Sequence, residues 1–315
     1  MIIDLPDTTT SQISKTLVKI REEGGAVALG RVLTLIIATH RDGEEEAIEA
    51  ANDASREHPM RIIVVSHTAD AAEGEAGLYA QIRVGGDAGA SEVILVRARG
   101  ASAGDQEGLV TGLLLPDAPV VAWWPGEAPA IASHDPLGAI AQRRITDAAS
   151  CDDPIGALTS LTETYRPGDT DFAWTRLTLW RAQLAAVLDQ PPYEPITAIE
   201  VSGAADSPST VLLAAWLRHQ LRVEVTLNTT PASKGASGIS GVRLHRASGV
   251  IDLERIETTV ARLQQPGQPT HDISLPRRSL RECLTEELRR LAPDDLFGEI
   301  VTRGLAEIGP VGTQS

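Results

Sequence analysis

A chain of 315 residues is longer than one ordinary domain and fits two, and its 42% apolar content can fill two sizeable cores. A formal charge of −15 argues against a surface built for nucleic-acid phosphates or an anionic membrane, and no apolar run approaches the roughly 20 residues that span a bilayer. The acidic, proline-broken start is no signal peptide, and Cys151 and Cys283 lie far apart, so a reducing, cytoplasmic setting is expected.

In chain order, residues 10–23 place Ile13, Leu17 and Ile20 at helical spacing, with Gly24 and Gly25 as a stop. The apolar run 31–39 predicts a buried strand, and an acidic, Ala-rich helix follows over 44–57. Strands are predicted at 61–65, 78–84, 92–97 and 119–124, with a short helix at 106–113. Strands alternating with helices imply an α/β domain with a largely parallel sheet and flanking helices. Asp135-Pro136 and Asp153-Pro154 each read as an N-cap followed by proline at the first helical position. The first of these helices is expected to end near Arg143 and Arg144, with a domain boundary near Ser150.

An aromatic-rich helix is predicted over 171–189, capped by Asp169 or Asp171 and stopped by Pro191 and Pro192. Arg176 and Trp180 are four residues apart on it and can stack. The α/β pattern then restarts, with a strand at 197–201, a helix at 208–220 and a strand at 223–227. Residues 233–241 read as a Ser/Gly loop. Segments 241–251, 257–263 and 270–275 read as an antiparallel meander, and helices at 279–291 and 294–305 close the fold. Cys283 falls on the apolar face of the first closing helix with Leu280, Leu284 and Leu288. The expected layout is therefore an N-terminal α/β domain over 1–150, a mixed α/β domain over 151–308 and a disordered tail over 309–315.

The search for chemistry turns up little. The seven histidines are scattered without ligand spacing, so no metal site is expected. His40 and His67 follow buried strands, where open α/β sheets bind ligands. The glycine-rich run 85–89 leads into a strand and carries Asp87, so it reads as a turn and not as a phosphate loop. Run 237–241 is likewise a loop and not a nucleophile elbow, and the acidic pairs lie in caps or turns. No cofactor is implied.

The aromatics are the stronger signal. The chain holds only five Trp, three Tyr and two Phe, and half of them lie between Tyr165 and Tyr193. Trp, Tyr and Arg anchor protein interfaces. Trp123, Trp124, Arg143, Arg144, Trp174, Arg176, Trp180 and Arg181 are therefore the candidate partner-binding surface or its support. Arg143 and Arg144 could cap a helix end, or clamp a phosphate or a partner carboxylate. Arg176 and Arg181 need a paired anion if buried, and Asp169, Asp171 or a partner could supply it.

Several strings, taken in order, resemble the glucose-6-phosphate dehydrogenase assembly protein family (OpcA) in its actinobacterial form. They include Gly30-Arg-Val-Leu-Thr-Leu-Ile-Ile37, Leu113-Leu-Leu-Pro-Asp-Ala-Pro-Val-Val-Ala-Trp-Trp-Pro125, Arg143-Arg-Ile-Thr-Asp147 and Gly168-Asp-Thr-Asp-Phe-Ala-Trp-Thr-Arg-Leu-Thr-Leu-Trp-Arg181. The resemblance implies a non-catalytic accessory factor for glucose-6-phosphate dehydrogenase, first enzyme of the oxidative pentose phosphate pathway, with that enzyme as partner and no catalytic residues of its own. The alternatives are a sugar-phosphate enzyme of lactonase or isomerase type, and a sensor holding a phosphate at Arg143 and Arg144.

Overall fold

The computed structural model describes residues 1–23, 30–67, 76–85, 92–231 and 238–308. The predicted glycine stop at 24–25, most of the 85–89 turn, most of the 233–241 loop and the 309–315 tail lie outside these residues.

Strand β1 (Ile2–Leu5) and helix α1 (Thr10–Glu23) lead to β2 (Leu33–His40), α2 (Glu44–Ala54), β3 (Met60–His67), β4 (Gly77–Val84) and β5 (Glu92–Arg99). Then come α3 (Gln106–Thr111), β6 (Val120–Trp123), α4 (Pro136–Ala139), β7 (Arg143–Thr146), α5 (Pro154–Thr164) and β8 (Asp169–Asp171). Helices α6 (Phe172–Thr175) and α7 (Thr178–Leu188) precede β9 (Ala198–Ala204), α8 (Pro208–Leu221) and β10 (Val225–Thr230). Strands β11 (Ile239–Arg246), β12 (Gly249–Arg255), β13 (Val260–Gln264) and β14 (His271–Ser274) precede α9 (Leu280–Arg289) and α10 (Asp295–Glu299). A π-helical turn at Ile300–Gly304 joins α10 to α11 (Leu305–Glu307).

The chain forms two compact units. The first comprises Met1–Asp147, Gly168–Thr170 and Leu280–Pro293, and the second comprises Ala148–Pro167, Asp171–Ser279 and Asp294–Ser315.

The first unit holds an eight-stranded sheet in the order β1-β4-β5-β3-β2-β6-β7-β8. Strands β5, β3, β2, β6 and β7 run parallel, whereas β4 pairs antiparallel with both β1 and β5. Parallel strands covered on both faces need continuous apolar runs. Leu33 to Ala38 and Ile62 to Val65 supply them and are buried throughout. Ile36, Ile63 and Ile94 share a core with Ile13 and Leu17 of α1 and with Val110 of α3. Helix α2 packs on β2 and β3 and against α9.

Arg143 and Arg144 do not end a helix, contrary to expectation. Helix α4 stops at Ala139, and the two arginines begin β7, with Arg143 in register with Val121 and Arg144 with Ala122. Ile145 and Thr146 are β-branched, and the backbone of this segment is claimed by the ladder to β6.

The second unit holds a six-stranded sheet in the order β10-β9-β11-β12-β13-β14. Strands β9 and β10 are parallel and joined through α8, whereas β11 to β14 form the antiparallel meander. Segment 241–251, expected as one strand, is the hairpin of β11 and β12. Gly249 takes a φ of 128°, which side chains disfavour, and the chain reverses there. The aromatic-rich helix also breaks in two, at Arg176 and Leu177. Its core includes Trp174, Trp180, Leu212 and Phe297. The Trp174 and Phe297 ring centroids lie 5.7 Å apart, and Tyr165 meets Phe297 edge-on at 5.9 Å.

Candidate functional site

The second unit contains a cavity of about 370 Å³ at the carboxyl end of β9, within the range of about 300–1,000 Å³ common for small-molecule sites. Open α/β arrangements place ligands where a parallel strand hands over to a helix. Here Gly203 lets that turn close tightly, because a Cβ on it would come within 2.4 Å of Thr210 Oγ1 and 2.8 Å of the Gly238 carbonyl. Ser207 caps α8, its hydroxyl accepting from the Thr210 N–H at 3.2 Å. The cavity is lined by Ser207, Pro208 and Ser209, so the positive end of the 14-residue helix α8 faces the same space as the other lining groups.

Four arginines line it as well: Arg176, Arg255, Arg277 and Arg278. Arg176 comes from the break between α6 and α7, where it sits 6.0 Å from the Phe172 ring centroid. Arg255 ends β12, lies 5.4 Å from the Trp180 ring centroid and donates to the Leu275 carbonyl and, at 2.9 Å, to that of Thr258. Arg278 donates to the Thr175 carbonyl at 3.1 Å. One carboxylate, Asp206, is among the lining residues. Burial pushes the Arg255 guanidinium below its ordinary pKa, and the Arg277 charge pushes the same way. Arg255 pairs with no carboxylate among the described residues.

In the first unit, β5, β3, β2, β6 and β7, counted among themselves, run in the order 3-2-1-4-5 of a doubly wound mononucleotide-binding half. A dinucleotide would meet such a sheet at the turn after its first parallel strand, over a glycine-rich loop and a helix N-terminus. That turn is residues 39–44, its one glycine is Gly43, and Glu44, Glu45 and Glu46 fill the first turn of α2. Glu44 is buried and paired with Arg97, and Glu45 accepts from Arg83 at 2.6 and 2.8 Å, which holds the Glu45 carboxyl below the usual range. Three glutamates in that first turn and a single glycine before it oppose the binding of a pyrophosphate, so the residues present do not fit a dinucleotide. His40 is exposed at the end of β2, in register with His67 at the end of β3.

Most of the residues singled out from the sequence are buried. Trp123, Trp124 and Trp174 are at most 4% exposed, and Trp174 Nε1 donates to Asp294 Oδ2 at 2.9 Å. Arg143 pairs with Glu287 and donates to the Ala292 carbonyl at 2.9 Å. Arg144 pairs with Asp169 and donates to the Ala141 carbonyl at 2.9 Å. A phosphate clamp at these two arginines, as expected of a sensor, would have to displace both carboxylates. Asp171 accepts from the Ala148 and Ala173 N–H groups. Arg181 is half-buried, 3.8 Å from the Trp174 centroid. Of these residues Arg176 and Trp180 line the cavity, and Arg255 lies over the Trp180 ring, 5.4 Å from its centroid. Sequence reasoning missed Arg255, Arg277, Arg278 and Asp206. The adjacent arginines after Pro276 were the visible signal.

A family model described as the glucose-6-phosphate dehydrogenase subunit N-terminal domain matches residues 51–163, and one described as the C-terminal domain of that subunit matches residues 167–301. The chain belongs to the OpcA glucose-6-phosphate dehydrogenase assembly family. No curated protein matches the OpcA-family chain. Among solved structures, an oxidoreductase from Sinorhizobium meliloti is similar at 9% identity and a TM-score of 0.46, over 88% of this chain and 95% of that one. Glucose-6-phosphate 1-dehydrogenase from Mycobacterium avium is similar at 13% identity and a TM-score of 0.40, over 85% and 90% of the two chains. A levoglucosan dehydrogenase in complex with NADH and levoglucosan gives 10% and 0.40, over 88% and 94%. Likenesses this distant carry no functional argument. No helix among the described residues is long and apolar enough to cross a membrane, and no group of three metal-ligating side chains gathers among them.

Proposed function

We propose that this OpcA-family chain is a non-catalytic partner of glucose-6-phosphate dehydrogenase, binding the enzyme and favouring its active oligomer. The observation that carries the reading is the pair of family matches, both described as glucose-6-phosphate dehydrogenase subunit domains, over residues 51–163 and 167–301. The glutamates at the start of α2 support it, since they suit a doubly wound sheet that does not hold a dinucleotide. A partner of this kind needs only a higher affinity for the active state of the enzyme than for the others.

Trp123, Trp124, Arg143 and Arg144 act in this reading as internal support of the first unit, and Trp174, Arg176, Trp180 and Arg181 as support within the second. Tyr193, at 78%, is the one exposed aromatic among the described residues, and is the proposed anchor. Tyr is among the residue types that dominate binding energy.

The test is light scattering on the dehydrogenase, on this chain and on their mixture. A complex heavier than either component is expected, and Tyr193→Ala is expected to weaken it by about tenfold or more while the chain stays folded. A mixture that resolves into the two separate components at micromolar concentration would overturn the proposal.

A further inference from the structure

The geometry points to the four-arginine cavity of the second unit as a binding site for a small phosphate monoester, with the phosphate held by Arg176, Arg255, Arg277 and the start of α8, and the remainder of the ligand against Trp180. Three features independent of any partner protein converge there. The first is charge. Four guanidinium groups and one carboxylate line the cavity, although the chain as a whole carries −15. In an acidic protein such a concentration of one sign selects against cations and for a multiply charged anion. Guanidinium is also the side chain best matched to phosphate, since its planar donors meet two oxygens at once.

The second feature is the state of Arg255. Burial disfavours its charge, and the neighbouring Arg277 disfavours it further. Its hydrogen bonds go to the neutral carbonyls of Thr258 and Leu275, and it has no carboxylate partner among the described residues. A cation held in this way gains from an arriving anion more than a solvated surface arginine would.

The third feature is the architecture. The cavity lies where β9 hands over to α8, and Ser207, Pro208 and Ser209 bring the positive end of a long helix into its lining. Trp180, Pro154, Pro208 and Ile239 add an apolar wall. The space of about 370 Å³ suits a monosaccharide phosphate or a mononucleotide.

The inference is tested by calorimetry on the full chain at fixed ionic strength. The probes are inorganic phosphate, a hexose 6-phosphate, AMP and the unphosphorylated hexose. Heat is expected from the phosphate compounds and none from the hexose, and the phosphate compounds should raise the melting temperature, because they bind the native state alone. Arg277→Glu is expected to weaken binding by about tenfold or more. Asp206→Asn is expected to tighten it about threefold or more, since it removes the one carboxylate of the lining. Both side chains are exposed, so both variants should melt with the wild type in the absence of ligand. The inference is overturned if no phosphate compound binds at millimolar concentration, if the hexose binds as well as its phosphate, or if binding is indifferent to Arg277→Glu and Asp206→Asn.

Discussion

Arg143 is 3% exposed and its partner Glu287 6%, so the pair has given up almost all of its water. Removing Glu287 leaves the Arg143 guanidinium charged and buried without its carboxylate, which costs about 3–5 kcal/mol. Glu287→Leu alone is expected to lower the unfolding free energy in urea by that amount. Adding Arg143→Met to Glu287→Leu should recover most of it, because a buried pair replaced by apolar groups of similar volume is close to neutral. A cost of less than about 1 kcal/mol for Glu287→Leu would show that the pair does not hold β7 to α9. The same residue shows why the site was only partly legible. Arginines and tryptophans close together suit an exposed interface or a buried ion pair equally well. What decides between them is a carboxylate 144 residues further on, and no local pattern reveals that distance. Arg144 and Asp169, 25 residues apart, pose the same problem. The arginines of the cavity went unnoticed for a related reason, since they come from an interrupted helix, a strand end and a connecting segment that only the fold brings together.

Capping explains why many element boundaries were readable. Asp135, Asp153, Asp171 and Asp294 each accept from a backbone N–H in the first turn of the helix that follows. Buried parallel strands were equally plain, because a continuous apolar run of this length has few other uses. Local sequence gave less warning where a tertiary constraint sets the conformation. Segment 143–146 becomes a strand because β6 offers an open edge, and the hairpin at Gly249 turns on a single positive φ inside a run with strand character. The β9–α8 junction rests on another such constraint. Gly203→Ala would drive a Cβ against Thr210 and against the backbone of Gly238, both within 2.8 Å. It is expected to destabilise the chain by about 1–3 kcal/mol in chemical denaturation. Gly126→Ala, where a Cβ meets nothing within 4 Å, should fall within about 0.5 kcal/mol of the wild type. Equal midpoints for the two variants would mean that the junction relaxes freely and that its geometry is not fixed.

For the whole molecule, the two α/β sheets, one mostly parallel and one ending in a meander, were legible from the alternation of strands and helices. The order of the parallel strands was not, since it depends on which crossovers the helices make. That order gives the first sheet the layout of a nucleotide-binding half, while the glutamates of α2 remove the chemistry that usually accompanies it. Family membership and the glutamates of α2 are the two observations on which the proposed partner role rests. The most direct measurement is the initial rate of glucose-6-phosphate dehydrogenase at sub-saturating substrate, titrated with this chain. The account predicts a saturable rise of about fivefold or more, the size expected of a coupling of 1 kcal/mol or above. A rate that stays flat at saturating excess of the chain would contradict it.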